Sequence, residues 1–256
     1  MRNPILKLSL TLLLLATYGP ILCLGQQQPT AMVAQPTSVA ELEQAGDNAR
    51  AQKDYAQAVK YFDQALRLDR KNAKLYNKRG LAELASGNYQ AARYDFAKAT
   101  KYNRKYPEAW NDLGVVSYVN HDYKAATENF KKAIALDETR ASFHMNLGIT
   151  WFTRNELDRA MKEYTRALEL DPEALLHSST TGMTAQIVDR QERAKHEFMM
   201  AKVYAKLGNV DSCLACLRNA KDEGYGDLSK VYKEDEFANI RQDPRLRAIV
   251  PPPTAD

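Results

Sequence analysis

The chain has 256 residues, of which 45% are hydrophobic and 27% are charged, a composition that is ordinary for a globular protein. Its formal net charge is +4, and Arg2 and Lys7 contribute two of those charges within a first segment, residues 1–25, that contains no Asp or Glu. The remaining basic excess is too small to indicate nucleic-acid binding, so we predict no nucleic-acid partner.

The N-terminal stretch MRNPILKLSLTLLLLATYGPILCLGQQQ is typical of a secretory signal peptide. A basic start is followed by an apolar stretch and then by small residues that would allow cleavage before Gln26. We therefore predict a signal peptide over residues 1–25 and an exported protein, periplasmic or secreted. An uncleaved inner-membrane anchor is the alternative, and membrane contact is expected only in that case. Lipidation at Cys23 is disfavoured because the preceding Leu22 is large.

The next segment, residues 26–38, is rich in Gln, Pro, Ser and Thr and predicts a flexible linker. A period of 34 residues begins after it. The stretch KDYAQAVKYFDQA (53–65) recurs as GNYQAARYDFAKA (87–99), HDYKAATENFKKA (121–133) and NELDRAMKEYTRA (155–167). With repeats starting at residues 39, 73, 107 and 141, four columns agree throughout: Gly46, Gly80, Gly114 and Gly148; Ala58, Ala92, Ala126 and Ala160; Phe62, Phe96, Phe130 and Tyr164; Ala65, Ala99, Ala133 and Ala167.

This pattern resembles the tetratricopeptide repeat (TPR). The third repeat carries the family signature most completely, in Trp110, Leu113, Gly114, Ala126, Phe130 and Ala133. The resemblance implies an all-α fold, a right-handed superhelical solenoid of antiparallel helix pairs with four regular repeats (39–72, 73–106, 107–140 and 141–174). Each repeat needs its neighbours because one helix pair cannot bury its own apolar face.

Beyond residue 174 the period is interrupted. A degenerate fifth repeat fits residues 194–227 if residues 175–193 form an insertion, a loop followed by a helix. Residues 228–250 resemble the segment that closes many bacterial arrays, and we expect two short capping helices with Pro244 between them. The last residues, 251–256, predict a disordered tail.

The sequence offers no catalytic, cofactor or metal site. It contains no H-E-x-x-H, P-loop, G-x-G-x-x-G or Ser-centred elbow. Of the four histidines, His121 lies in a predicted turn, His144 takes a packing position, His177 lies in the insertion, and His196 is expected on an exposed helix face. We therefore predict a protein that is not an enzyme, with no cofactor and no small-molecule substrate.

The resemblance also assigns a concave groove to inner-helix positions 2, 5, 9, 12 and 13 of each repeat. The predicted partner-binding residues there are Asn77, Leu81, Leu84, Asn111, Val115, Tyr118, Met145, Ile149 and Phe152. They make an apolar wall with an acidic entrance, which suits an apolar or helical segment of a partner protein or peptide. The open alternative is that the insertion or the C-terminal helices fill this groove.

Some family members grip chaperone C-termini through a carboxylate clamp of Lys, Asn and Arg. The matching positions here hold Glu43, Asp47, Lys78, Glu108 and Asp112 in one frame, and Asn77, Leu81, Asp112, Ser142 and Asn146 in the next. Neither set can hold a carboxylate, and the first would repel it. We predict no chaperone-tail binding.

The pair Cys213 and Cys216 forms a C-x-x-C, which elsewhere can be a redox-active dithiol or half of a metal site. In the fifth repeat Cys213 takes the column filled by alanine in the other four, where a small apolar side chain is needed. Packing is therefore the favoured interpretation. The predicted function is a non-enzymatic scaffold of the bacterial cell envelope, and the alternatives are a thiol-active exported protein and a membrane-anchored scaffold.

Overall fold

One helical hairpin recurs along the chain in the computed structural model, which describes residues 36–175 and 189–253. The predicted signal peptide and residues 26–35 of the predicted linker lie outside the described residues. The same holds for residues 176–188 of the predicted insertion, which include His177, and for residues 254–256 of the tail.

Helices and turns make up the described part of the chain. The regular helices are α1 (Val39–Ala51), α2 (Tyr55–Leu68), α3 (Ala73–Ala85), α4 (Tyr89–Tyr102), α5 (Pro107–Val119), α6 (Tyr123–Leu136), α7 (Ala141–Thr153) and α8 (Leu157–Leu170). The later elements are α9 (Arg190–Lys206), α10 (Val210–Asp222), two 3₁₀ helices (Leu228–Tyr232 and Asp235–Phe237) and α11 (Pro244–Ile249). None of these helices is long and apolar enough to cross a bilayer.

Each odd-numbered helix packs against the next helix in a hairpin, and each hairpin packs on the one that follows. The fold is therefore the predicted all-α solenoid of consecutive helix pairs. Four of its eight regular helices begin where a polar side chain accepts from the free backbone N–H groups of the first turn. Ser38 and Glu41 form a reciprocal capping box on α1, and Asp54, Asn72 and Asp122 cap α2, α3 and α6.

The turn inside each hairpin has the same backbone conformation in all five pairs. Its fifteenth repeat position has a positive φ: Lys53 (62°), Gly87 (84°), His121 (61°), Asn155 (59°) and Gly208 (74°). Only glycine adopts this left-handed region without a steric penalty, which is about 1 kcal/mol for other residues. The turn is thus set by the hairpin geometry, and three repeats tolerate a side chain there.

Close approach of the two helices in a pair depends on glycine. A Cβ atom added at Gly114 would lie 2.6 Å from Cε1 of Phe130, and the same conflict arises at Gly46, Gly80 and Gly148 against Phe62, Phe96 and Tyr164. These four aromatic rings are fully buried. Burying a ring of this size contributes about 1.5–3 kcal/mol. The aromatic and glycine columns are therefore two halves of one contact.

A fifth helix pair, α9 and α10, follows the undescribed residues. Ala201, Leu217 and Ala220 are fully buried at the positions of the glycine, aromatic and second alanine columns of the regular repeats, and Tyr204 is 6% exposed. Helix α9 begins at Arg190, four residues before the predicted start of the repeat, because Asp189 accepts from the N–H of Glu192 and caps the helix there.

The closing segment packs on the last helix pair. Phe237, Ile240 and Leu246 are fully buried, and Phe198 of α9 stacks on Tyr225 with ring centroids 4.3 Å apart. Pro244 does not lie between two helices, as the sequence had suggested, but is the first residue of α11, after the capping residue Asp243. That first position suits proline because its missing N–H would have no partner there anyway.

Candidate functional site

The predicted groove residues lie on α3, α5 and α7, the first helices of their pairs, and most of them are buried. The buried members are Asn77, Val115, Tyr118, Met145, Ile149 and Phe152, while Leu81, Leu84 and Asn111 are partly exposed. The apolar wall therefore belongs largely to the interior of the array. Helix α9 covers its far end, where the rings of His196 and Phe152 meet edge-on with centroids 5.1 Å apart.

A ladder of polar pairs runs along the inner helices beside this wall. In the first three repeats, position 5 bonds position 6 of the next repeat, 35 residues later. The rungs are Lys78 Nζ to Glu43 Oε1 (2.6 Å), Asn77 Nδ2 to Asp112 Oδ2 (2.9 Å) and Asn146 Nδ2 to Asn111 Oδ1 (2.9 Å). In the next step the same positions are Met145 and Met199, both in the main apolar core. The ladder thus changes from ionic to amide to apolar along the array.

Sequence reasoning considered each repeat's groove residues as a list and missed this pairing. The signal was present as complementary residues at a separation of 35, one more than the repeat period. Each bond joins residues 35 apart rather than 34 because neighbouring inner helices are shifted along their axes by one residue, and the sequence alone does not give this shift.

Asp112 occupies the middle rung. Its carboxylate accepts from Asn77 Nδ2 and also from Asn111 Nδ2 at 3.1 Å. Loss of solvent raises the pKa of Asp112 to about 6, against the lowering effect of these two hydrogen bonds. On the other side of the rung, the side-chain oxygen of Asn77 is buried and accepts no hydrogen bond.

The positions of a carboxylate clamp are occupied in a way that excludes one. Lys78 is the basic residue of the first clamp frame, and it already pairs with both Glu43 and Asp47. Lys74 adds a second cation to Glu43 at 2.7 Å. The basic side chains of this frame are thus paired internally, and the absence of chaperone-tail binding stays a prediction.

A cavity of about 350 Å³ with a mixed apolar and charged lining lies where the predicted wall ends, at Phe152. The other apolar residues of its lining are Leu157, Met161, Phe198, Met199 and Tyr225. The polar part of the lining consists of Asn155, the cations Lys195, Lys202 and Lys230, and the anions Asp158, Glu192 and Glu234. Lys195, Phe198 and Lys202 hold groove positions 2, 5 and 9 of the fifth repeat, a repeat whose groove residues were not considered from the sequence.

The two cysteines of α10 are free thiols, fully buried at Cys213 and 6% exposed at Cys216. Burial raises the pKa of Cys213 to about 12. Burial and the nearby Glu197 carboxylate raise the pKa of Cys216 further. Because the thiolate is the reactive form, both groups are poor nucleophiles, and the structure favours packing over thiol chemistry.

Two histidines are part of the core. His144 packs as predicted and its Nδ1 lies 2.7 Å from Glu163 Oε2. The expectation that His196 is exposed is wrong, because it is 7% exposed and its Nε2 lies 3.1 Å from the hydroxyl of Tyr164. Burial lowers the pKa of His196 to about 4, so the ring is neutral at physiological pH. In the described ranges no three metal-binding side chains come together.

Comparisons with known proteins agree with this architecture. The family model of the tetratricopeptide repeat matches residues 44–109, 78–137 and 111–174. No curated protein sequence matches the chain significantly.

Solved structures share the fold at low sequence identity. MamA residues 41 to the end, from Desulfovibrio magneticus RS-1, aligns with a TM-score of 0.53 and 16% identity over 74% of this chain and 97% of that one. Another MamA crystal structure gives 0.52 and 19% identity, over 77% and 95% of the two chains. YrrB, described as a TPR protein with an unusual peptide-binding site, gives 0.50 and 20% identity, over 73% and 87%.

Proposed function

The chain belongs to the tetratricopeptide repeat family, a family of non-enzymatic interaction scaffolds, and on that premise we propose that it holds a partner protein through an apolar segment. The observation that carries this proposal is the cavity beside Phe152, which lies between α8, α9 and the closing segment. The remaining apolar wall of the predicted groove is buried and offers less surface to a partner.

The cavity has the size and the lining of an anchor site. A volume of about 350 Å³ accommodates one large apolar side chain and part of its backbone. Its lining combines apolar residues with charged residues of both signs, and protein interfaces likewise combine apolar and polar contacts. A peptide-binding site is described for YrrB, which shares the fold, and this agrees with a peptide segment as the ligand.

Leu157 provides the test because it lines the cavity and is 46% exposed, so it can change without loss of core packing. Peptides selected from a displayed random library on the purified protein should carry an apolar anchor residue. They should lose binding to the variant Leu157→Lys, which places a charge in the cavity. The matched control is Leu136→Lys, a leucine that is 41% exposed at the end of α6. Equal binding to both variants would contradict the proposal.

We also propose that the scaffold acts in the cell envelope after export. The support is the N-terminal sequence, with its basic start and apolar stretch. The mass of the protein isolated from the envelope fraction tests this. Loss of residues 1–25 indicates a cleaved signal, and retention indicates an anchored form. Recovery of the protein in the cytoplasm would contradict export.

A further inference from the structure

We propose that the inner face of the first three helix pairs binds a cationic side chain, the ammonium of a lysine or the guanidinium of an arginine in the partner. This inference rests on the proposed function, because the cation would belong to the same partner protein. The binding groups are the Asp112 carboxylate and the buried Asn77 oxygen, together called the acceptor site.

Asp112 is an acidic residue of this face whose charge is not matched nearby. Glu43 and Asp47 pair with Lys78, and Glu108 pairs with Arg140 at 2.8 Å. No ion pair reaches Asp112 from the described residues, where the neutral amides of Asn77 and Asn111 are its donors. The exposed Arg50 acts on it only beyond ion-pair distance. A carboxylate that is shielded from water without a cation is costly.

The second observation is the unfilled acceptor on Asn77. This side chain is 3% exposed, and its Oδ1 lies on the same amide group whose nitrogen bonds Asp112. The other buried atom without a donor on this face is Oδ1 of Asp47, whose Oδ2 pairs with Lys78. Both of these unpaired buried atoms are acceptors, so this face suits a ligand group that only donates hydrogen bonds. An ammonium carries three N–H donors and a guanidinium five.

The next rung of the ladder shows that the charge is not needed for packing. Asn146 and Asn111 occupy the same two positions one repeat later, and their neutral amides bond directly at 2.9 Å. An asparagine at position 112 could accept from Asn77 through its side-chain oxygen, while its nitrogen would replace the oxygen that accepts from Asn111. The aspartate at this position instead carries a charge that no nearby cation of the described residues matches, which suits a ligand better than a structural contact.

The kind of ligand follows from the surrounding charges. Glu43, Asp47 and Glu108 are matched by Lys74, Lys78 and Arg140, so among the described residues the charge of Asp112 is the one left on this face, and it disfavours an anion. A metal ion is disfavoured because no group of three or more metal-binding side chains is formed in the described ranges. Burial raises the pKa of Asp112 to about 6, and a bound cation would lower this pKa again because it stabilises the ionised carboxylate.

The experiment titrates the ¹⁵N-labelled protein with three capped tripeptides, Gly-Arg-Gly, Gly-Lys-Gly and Gly-citrulline-Gly, and follows the side-chain amide signals of Asn77 and Asn111. Citrulline has the shape of arginine without its charge. We expect saturable shifts with at least one cationic peptide and none with citrulline. Asp112→Asn should abolish the shifts, and the control Asp122→Asn should keep them, because Asp122 caps α6 and asparagine caps equally well.

Three results would overturn the acceptor site: no shift with either cationic peptide, equal shifts with citrulline, or shifts that persist in Asp112→Asn. The outcome is separable from that of the anchor cavity because the tripeptides contain no apolar residue. If Leu157→Lys no longer binds the selected peptides and the tripeptides cause no shift of the amide signals, the anchor cavity is supported and the cation site is contradicted. If the cationic tripeptides shift the amide signals and Leu157→Lys still binds the selected peptides, the cation site is supported and the anchor cavity is contradicted.

Discussion

At the scale of single residues, Asp112 is a residue whose charge favours the proposed ligand but disfavours the folded state. Asp112 accepts two amide hydrogen bonds, yet loss of solvent raises its pKa to about 6 from an ordinary value of 3.8. The charged neighbours that act on it are Glu108, which opposes ionisation, and Arg50, which favours it. The folded protein therefore binds a proton that the unfolded chain releases between about pH 4 and pH 6.

Since the folded-state pKa of Asp112 lies above the unfolded value, its contribution to stability is present at low pH and is lost as pH rises through about 6. We expect Asp112→Asn to raise the free energy of unfolding at pH 7.5 by about 1–3 kcal/mol and to change it little at pH 4. Urea unfolding followed by circular dichroism at both pH values measures this. A loss of stability at pH 7.5 would show that the carboxylate stabilises the fold.

At the scale of the helix pair, the sequence was most informative. The columns of Gly, Ala and Phe or Tyr repeat every 34 residues and occupy the core contacts that they predicted, with Phe62, Phe96, Phe130 and Tyr164 fully buried. These contacts are formed between the two helices of one pair, so both partners lie within one repeat and the repeat pattern is enough to predict them. The direction faced by His196 was not predictable in this way, because it depends on how α9 packs after an insertion.

Gly114 tests the contact between the paired helices. A methyl group there would lie 2.6 Å from the ring of Phe130, which is fully buried and cannot move aside freely. We expect Gly114→Ala to lower the free energy of unfolding by about 1–3 kcal/mol through overpacking. Gly226→Ala is the control, since a Cβ atom there meets nothing within 4 Å. Thermal and urea unfolding compare the two, and an equal effect would contradict the clash.

Across the whole molecule, each helix pair depends on its neighbours. The pairs contact one another in chain order, and the last pair is covered by the closing segment through Phe237 and Asn239. The sequence pattern predicted a closing segment at the end of the array. It did not predict the anchor cavity, because that cavity joins residues from α7, α8, α9 and the segment beyond α10, which no single period relates.

Phe237 tests how far stability is transmitted along the array. The residue is fully buried, with its ring centroid 5.5 Å from that of Phe198. We expect Phe237→Ala to cost about 3–5 kcal/mol locally. Hydrogen exchange should then speed up in α9 and α10 while α1–α4 keep their protection, since repeats interact mainly with nearest neighbours. A uniform loss of protection would indicate a single cooperative unit.

The polar ladder gives the repeats an order. Their cores are nearly interchangeable, but each rung joins two specific repeats: Glu43 with Lys78, Asn77 with Asp112, and Asn111 with Asn146. Exchanging the second and third repeats would set Glu43 against Asp112, two like charges. Although the repeats share their core residues, the polar pairs on the inner face are therefore compatible with one order of the first four repeats and disfavour this exchange.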